Sequence, residues 1–259
     1  MTHLGPMSFR APGAVAGLAA ALAVPLGLAL SLGAAPPRAG LSDSEIQTLV
    51  EVSLRDKKIA GVRVSVKDGV VTLAGMVPSA WARARATELA LKPEDVRSLV
   101  VDDLKVARGE SDARVGEELA EKIRRYVLYS IFDDVSLSVQ DGVVTLTGRV
   151  TQGFKVRDIE DVASRVVGVQ EVRNELQTLP VSIADDQLRN SIASQIYRDP
   201  MFQSYAFQVN PPLHIVVENS RVTLTGVVAS QVERVKAEMI ARMTFGVLGV
   251  ENRLRVEGK

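Results

Sequence analysis

Cysteine is absent from the 259 residues. That excludes disulfides, thiolate metal sites, cysteine nucleophiles and a lipid-modified N-terminal cysteine. Histidine is almost absent too, with only His3 and His214, so triads that need a histidine base and most metal clusters have no source of ligands. Neither sign of charge is in excess, with 31 basic and 31 acidic side chains, and a chain without a basic surplus is a poor nucleic-acid binder. No EF-hand spacing and no glycine-rich phosphate loop occurs in the chain. These absences describe a non-enzymatic binding protein with no cofactor and no metal.

What is present begins with a leader-like segment. Arg10 precedes residues 11–37, which carry no charged side chain. A basic start, an apolar stretch and small residues form the pattern of an export signal, and the stretch exceeds the ~20 residues that span a bilayer. Its Ala/Gly richness, Pro25, and small residues at Ser31 and Gly33 before Ala34 point towards cleavage. A retained membrane anchor is the alternative. Residues 1–40 are therefore expected to act as signal peptide or anchor.

The remainder repeats one pattern three times. VVTLAG ends at Gly75, VVTLTG at Gly148 and RVTLTG at Gly226. Upstream of each, alternating residues (Val62, Val64, Val66; Val135, Leu137, Val139; His214–Val217) lead into Asp68-Gly69, Asp141-Gly142 or Asn219-Ser220. Period-two alternation around such a turn predicts a β-hairpin, with Gly69 and Gly142 supplying positive φ. Gly75, Gly148 and Gly226 are expected to end a strand before the next helix.

Before each hairpin, apolar residues at i, i+4, i+8 predict a helix with one buried stripe: Ile46, Val50, Leu54; Val115, Leu119, Ile123; Leu188, Ile192, Ile196. Ser42 with Glu45 forms a capping box, and Ser111 or Asp112, and Asp185, are the expected caps of the other two helices. A second helix follows each marker glycine. Ser79 and the Ser230/Glu233 pair are its expected caps, and Leu89-Ala90, Val162-Ala163 and Ile240-Ala241 are its apolar positions. A closing strand reads GVQEVRNEL from Gly168 and GVLGVENRL from Gly246. The first copy keeps Val100, Asp102 and Leu104 of it, behind a helix shortened by Pro93. Each unit is thus α-β-β-α-β: an α+β domain of about 65–75 residues with a three-stranded mixed sheet and two helices on one face.

These strings resemble the BON domain of exported bacterial proteins. The resemblance rests on the element order, the V-x-V-x-DG-VVTL-x-G hairpins at 62–75 and 135–148, and the G-V-x-x-V-x-N-x-L endings at 168–176 and 246–254. It spans three tandem copies at 41–107, 111–179 and 184–257. The resemblance implies a periplasmic or envelope location, phospholipid binding, support of envelope integrity or stress tolerance, and no catalytic residues. Envelope proteins, or a second copy of the chain, are the alternative partners to an anionic membrane, with the protein then acting as a scaffold.

Three groups of residues are candidates for such contacts. Trp81, flanked by Arg83 and Arg85, has an amphipathic ring suited to a membrane interface, or else packs between repeats. Arg124, Arg125, Tyr126, Tyr129 and Phe132 close the first helix of the second repeat in a basic, aromatic run that suits anionic head groups, or else Tyr126 extends the apolar stripe. Phe202, Tyr205 and Phe207 lie in an insertion of the third repeat that covers a neighbour or meets a lipid or partner. The paired acids Asp102-Asp103, Asp133-Asp134 and Asp185-Asp186 alternate across strand faces and do not converge on one atom.

Overall fold

The computed structural model describes residues 40–258, Glu110 and Val209 excepted. The expected leader lies outside the described residues. Residues from Gly40 onward form one compact unit, built from three α-β-β-α-β repeats in tandem.

Repeat 1 runs α1 (Asp43–Asp56), β1 (Val62–Lys67), β2 (Val70–Val77), α2 (Ala80–Ala90), β3 (Ser98–Val100) and β4 (Leu104–Val106). Repeat 2 runs α3 (Asp112–Arg124), β5 (Asp134–Gln140), β6 (Val143–Val150), α4 (Gly153–Ser164) and β7 (Glu171–Thr178). Repeat 3 runs α5 (Ile183–Arg198), a short 3-10 turn at Pro200–Phe202, α6 (Gln203–Ala206), β8 (Leu213–Glu218), β9 (Arg221–Val228), α7 (Gln231–Met243), β10 (Gly249–Asn252) and β11 (Arg255–Val256). In each sheet the hairpin is antiparallel and the closing strand lies parallel to the second hairpin strand.

The cores follow the apolar periods. The stripes Ile46/Val50/Leu54, Val115/Leu119/Ile123 and Leu188/Ile192/Ile196 are buried. They pack with Val71 and Leu73, Val144 and Leu146, and Val222 and Leu224 of the central strands, giving one core per repeat. Fully burying one such side chain stabilises the fold by roughly 1.5–3 kcal/mol.

The marker glycines sit inside β2, β6 and β9 rather than ending them. Gly148 has φ +124°, and a Cβ there would stand 2.1 Å from the Asp134 carbonyl oxygen. Gly226 repeats the geometry with φ +104° and 1.8 Å to the Pro212 carbonyl. The hairpin's first strand enters so close that no side chain fits, which explains one glycine per copy.

Capping departs from expectation at one helix. Ser42, Ser79, Ser111 and Ser230 accept from their helix N-termini as expected. The cap of α5, however, is Ser182. Asp185 instead accepts the backbone N–H groups of Asn219 (2.9 Å) and Ser220 (2.8 Å) at the hairpin tip. Asp43 clamps Asp68 and Gly69 in the same way, and Asp112 clamps Asp141 and Gly142. The turn residues carry left-handed φ, which turns two successive N–H groups towards one carboxylate.

The closing strand of repeat 1 also differs. Leu99, not Val100, occupies the register position of Val172, since Leu99 pairs Val71 as Val172 pairs Val144. One extra residue before Leu104 then breaks the strand at Asp102-Asp103, between β3 and β4. In the other copies the motif asparagine ties strand to helix: Asn174 donates to Val156 C=O and Asn252 to Arg234 C=O, both at 2.9 Å.

Candidate interaction surfaces

Two seams hold the repeats together, and each contains residues singled out above. At the first, the β2–α2 turn of repeat 1 lies against the α4–β7 segment of repeat 2. Ala80 N–H donates to Val169 C=O and Gly168 N–H donates to Pro78 C=O, each at 2.9 Å. Arg165 stacks its guanidinium 4.2 Å from the centre of the Trp81 ring, a contact of about 0.5–1 kcal/mol where partly exposed. Trp81 is half-buried and also packs on the core of repeat 1. The indole therefore has an intramolecular partner. Arg83 is exposed and Arg85 pairs with Glu88. The equivalent Phe154 and Val232 are exposed in their repeats.

The second seam joins repeats 2 and 3 through another face. Ile131 C=O accepts from Ile215 N–H at 2.7 Å, and Ile131 and Phe132 pack on the core of repeat 3. Tyr129 lies 5.4 Å from His214, ring centre to ring centre. Arg149 meets Glu218 at 3.5 Å, and the Asn210 side-chain amide donates to Arg124 C=O. The outward face of β8 explains the difference between seams. In β1 and β5 that face carries Arg63, Ser65 and Lys67, or Ser136, Ser138 and Gln140, all exposed. In β8 it carries His214, Val216 and Glu218, and Val216 is buried.

The turn that makes this seam is pinned from below by Asp133. Its carboxylate accepts from Ser130 N–H (2.8 Å), Thr151 N–H (2.8 Å) and the Lys155 ammonium (2.7 Å), and both Asp133 and Lys155 are buried. Burial pushes the Asp133 pKa up, but Lys155, the Thr151 N–H and the Ser130 hydroxyl together hold it below the ordinary aspartate value. Burial lowers the pKa of His214, against the pull of Asp133 and Asp134. Burial, with Asp158 accepting from its hydroxyl at 2.5 Å, raises that of Tyr126 to about 12.

The remaining candidates divide by exposure. Tyr126 and Tyr129 pack against the core of repeat 2. Phe202 and Tyr205 enter the core of their own repeat 3 rather than covering a neighbour, and Tyr205 donates to Glu233 at 2.6 Å. Arg124 and Arg125 stay exposed, Arg125 paired with Glu121 at 2.6 Å. Phe207 is 89% exposed and Val127 is 87% exposed, with Leu128 beside it on the surface. The sequence reasoning passed over Val127 and Leu128, although two aliphatic residues between tyrosines directly after two arginines were the available signal. Arg124, Arg125, Gln208 and Pro211 line one cleft of about 520 Å³ across the seam. Phe207 precedes the lining residue Gln208 in the chain, and Val127-Leu128 lie between the lining residues Arg125 and Tyr129. Among the described residues no helix is long and apolar enough to cross a membrane, and no group of three or more acidic or histidine side chains could hold a metal ion.

Fold and seams together define a tandem-repeat α+β protein. The BON domain family matches at residues 42–108, 115–180 and 184–258. The chain belongs to this family, in three copies. Comparison with curated proteins returns no match. Among solved structures, the C-terminal domain of CdsD, a structural protein of the type III secretion system of Chlamydia trachomatis, is 15% identical over 83% of this chain and 99% of that one, with a TM-score of 0.25. The periplasmic domain of the type III secretion inner-membrane protein PrgH from S. typhimurium is 12% identical over 78% and 98%, with a TM-score of 0.20. TM-scores this low do not establish a shared fold across the whole chain.

Proposed function

We propose that this protein is an exported, non-enzymatic envelope protein that associates with anionic phospholipid surfaces at the seam between repeats 2 and 3. Export rests on the uncharged stretch at 11–37 behind Arg10. The observation that carries the lipid reading is the exposed pair Val127 and Leu128, two and three residues along the chain from Arg125, which with Arg124 and Glu121 lines the cleft, and exposed Phe207 next in sequence to its lining residue Gln208. Apolar side chains entering the interface contribute up to roughly 1.5–3 kcal/mol each when fully buried. Each arginine near an anionic surface adds about 1 kcal/mol. The apolar part is the larger, so salt weakens binding without abolishing it.

Co-sedimentation of residues 40–259 with anionic and with neutral vesicles tests this. Arg124→Glu with Arg125→Glu lowers binding to anionic vesicles, Val127→Ser with Leu128→Ser lowers it further, and Trp81→Phe leaves it unchanged. Wild-type protein that stays in the supernatant with both vesicles overturns the proposal. A second reading, an interaction scaffold, is favoured by the far end of repeat 3, where Phe245 is wholly exposed.

A further inference from the structure

The seam between repeats 1 and 2 has two halves, and each half recurs unused elsewhere in the chain. The donor half is the β2–α2 turn: Pro78 C=O, Ala80 N–H and the Trp81 ring. The receiving half is the segment after α4: Gly168 N–H, Val169 C=O and the Arg165 side chain.

Strand register sets the equivalents. Val172 and Val250 occupy matching positions, opposite Val144 and Val222. Gly246 therefore corresponds to Gly168, Val247 to Val169, and Met243 to Arg165. The local backbone agrees: Gly168 has φ +89° and Gly246 +93°, and Val169 N–H bonds Val166 C=O as Val247 N–H bonds Thr244 C=O. Among the described residues, Gly246 N–H and Val247 C=O have no partner. Around them Met243 is 77%, Phe245 100% and Leu248 75% exposed. Three large apolar side chains within six residues, beside two unpaired backbone groups, form a surface prepared for contact. The same end of repeat 1 carries exposed Lys92, Glu94 and Arg97 instead and offers no such surface.

Repeats 2 and 3 each carry a free donor half, and that of repeat 2 is the closer match, with aromatic Phe154 at the Trp81 position where repeat 3 has Val232. Counting from the marker glycines, Thr151, Gly153 and Phe154 correspond to Pro78, Ala80 and Trp81. Thr151 C=O and Gly153 N–H have no partner among the described residues, and Phe154 is exposed. These halves do not meet within one chain, because repeat 3 sits on repeat 2 through β8 and Phe245 is wholly exposed.

We propose that the β6–α4 turn of a second copy of this chain docks on the open end of repeat 3, reproducing the first seam between molecules. Gly153 N–H donates to Val247 C=O, Gly246 N–H donates to Thr151 C=O, and Met243 packs over Phe154, a sulfur–aromatic contact replacing the arginine–indole one. The interface is head-to-tail, so it builds a ring or an open chain rather than a closed pair.

The absence of cysteine makes the test clean. Phe154→Cys and Met243→Cys are placed on separate full-length chains, mixed, and treated with a short bismaleimide. The result expected is a covalent dimer that needs both variants and exceeds by several-fold the yield from Val232→Cys mixed with Met243→Cys. In sedimentation velocity the unmodified chain gains mass with concentration, whereas Phe245→Asp, with an unchanged circular dichroism spectrum, stays monomeric. A chain that remains monomeric, or crosslinking no greater than the Val232 control, overturns the proposal. Loss of vesicle binding without loss of crosslinking would instead count against the lipid reading alone.

Discussion

Replacing Lys155 by methionine tests the logic of the seam between repeats 2 and 3 from a residue whose ammonium bonds lie within repeat 2. The substitution keeps the volume of the stem and removes the ammonium 2.7 Å from Asp133. Asp133 is left fully buried with its donors from Ser130 and Thr151 intact. Stripping one partner from a buried ion pair costs about 3–5 kcal/mol. The surviving donors retain part of the carboxylate's stabilisation, so about 3 kcal/mol is expected. With three cores a single two-state transition for the whole chain is not assured, so unfolding in urea is followed repeat by repeat through hydrogen exchange. At an m-value of about 2 kcal/mol/M, the midpoint of repeat 2 falls by roughly 1.5 M. Protection of the Ser130–Asp133 turn falls with it, and so does that of Ile215, whose N–H bonds Ile131 C=O. Asp133→Asn in the Lys155→Met background costs much less than the two single losses added together. A midpoint within about 0.3 M of wild type, or an unaltered Ile215, would refute the reasoning.

Three further outcomes follow from the same geometry. Gly148→Ala destabilises repeat 2 by about 3 kcal/mol, from strained backbone and a displaced ladder hydrogen bond; Gly153→Ala, where a Cβ meets only Thr178 Oγ1 at 3.6 Å, changes the urea midpoint little. His214 has a depressed pKa in the folded chain, so the unfolded chain takes up the proton first. Stability is then complete above the ordinary value of 6.5 and is lost as pH falls from there towards the folded value; thermal melts at pH 7 and pH 5 show a loss that His214→Phe removes. Asp185→Ala removes a buried carboxylate that accepts two N–H groups at the tip of the third hairpin and costs about 1–3 kcal/mol, more than Asp43→Ala, whose carboxylate is only half-buried.

Period and turn chemistry made the repeats legible, because Val-x-Val alternation and the i, i+4, i+8 stripes are local and each copy tests the others. What escaped is what depends on a second element. Asp185 reads as a cap because it stands near a helix start, yet its carboxylate is drawn to the hairpin tip, a partner 34 residues away for Asn219. Asp133-Asp134 reads as two acids on opposite faces of a strand, whereas Asp133 precedes β5 and nothing local announces that Lys155 and Thr151 close over it. Phe202 and Tyr205 read as loop aromatics, whereas the turn at Pro200–Phe202 folds them back into their own core. Of the two seams the sequence offers only the alternatives that Trp81 packs between repeats and that the repeat-3 insertion covers a neighbour. Which faces meet is decided by Val216 in place of a polar residue on β8, and by the β2–α2 turn beneath Arg165.

The account rests most directly on where the membrane touches. With Trp81→Phe keeping an aromatic ring beneath Arg165, and Leu128→Trp added as the sole indole, the emission of residue 128 is recorded as anionic vesicles are titrated in. The expected result is a blue shift that saturates with lipid, weakens with salt and needs more lipid with neutral vesicles than with anionic ones. Protein that binds the vesicles while the indole at 128 stays at its aqueous emission would contradict it, since contact would then lie on another face.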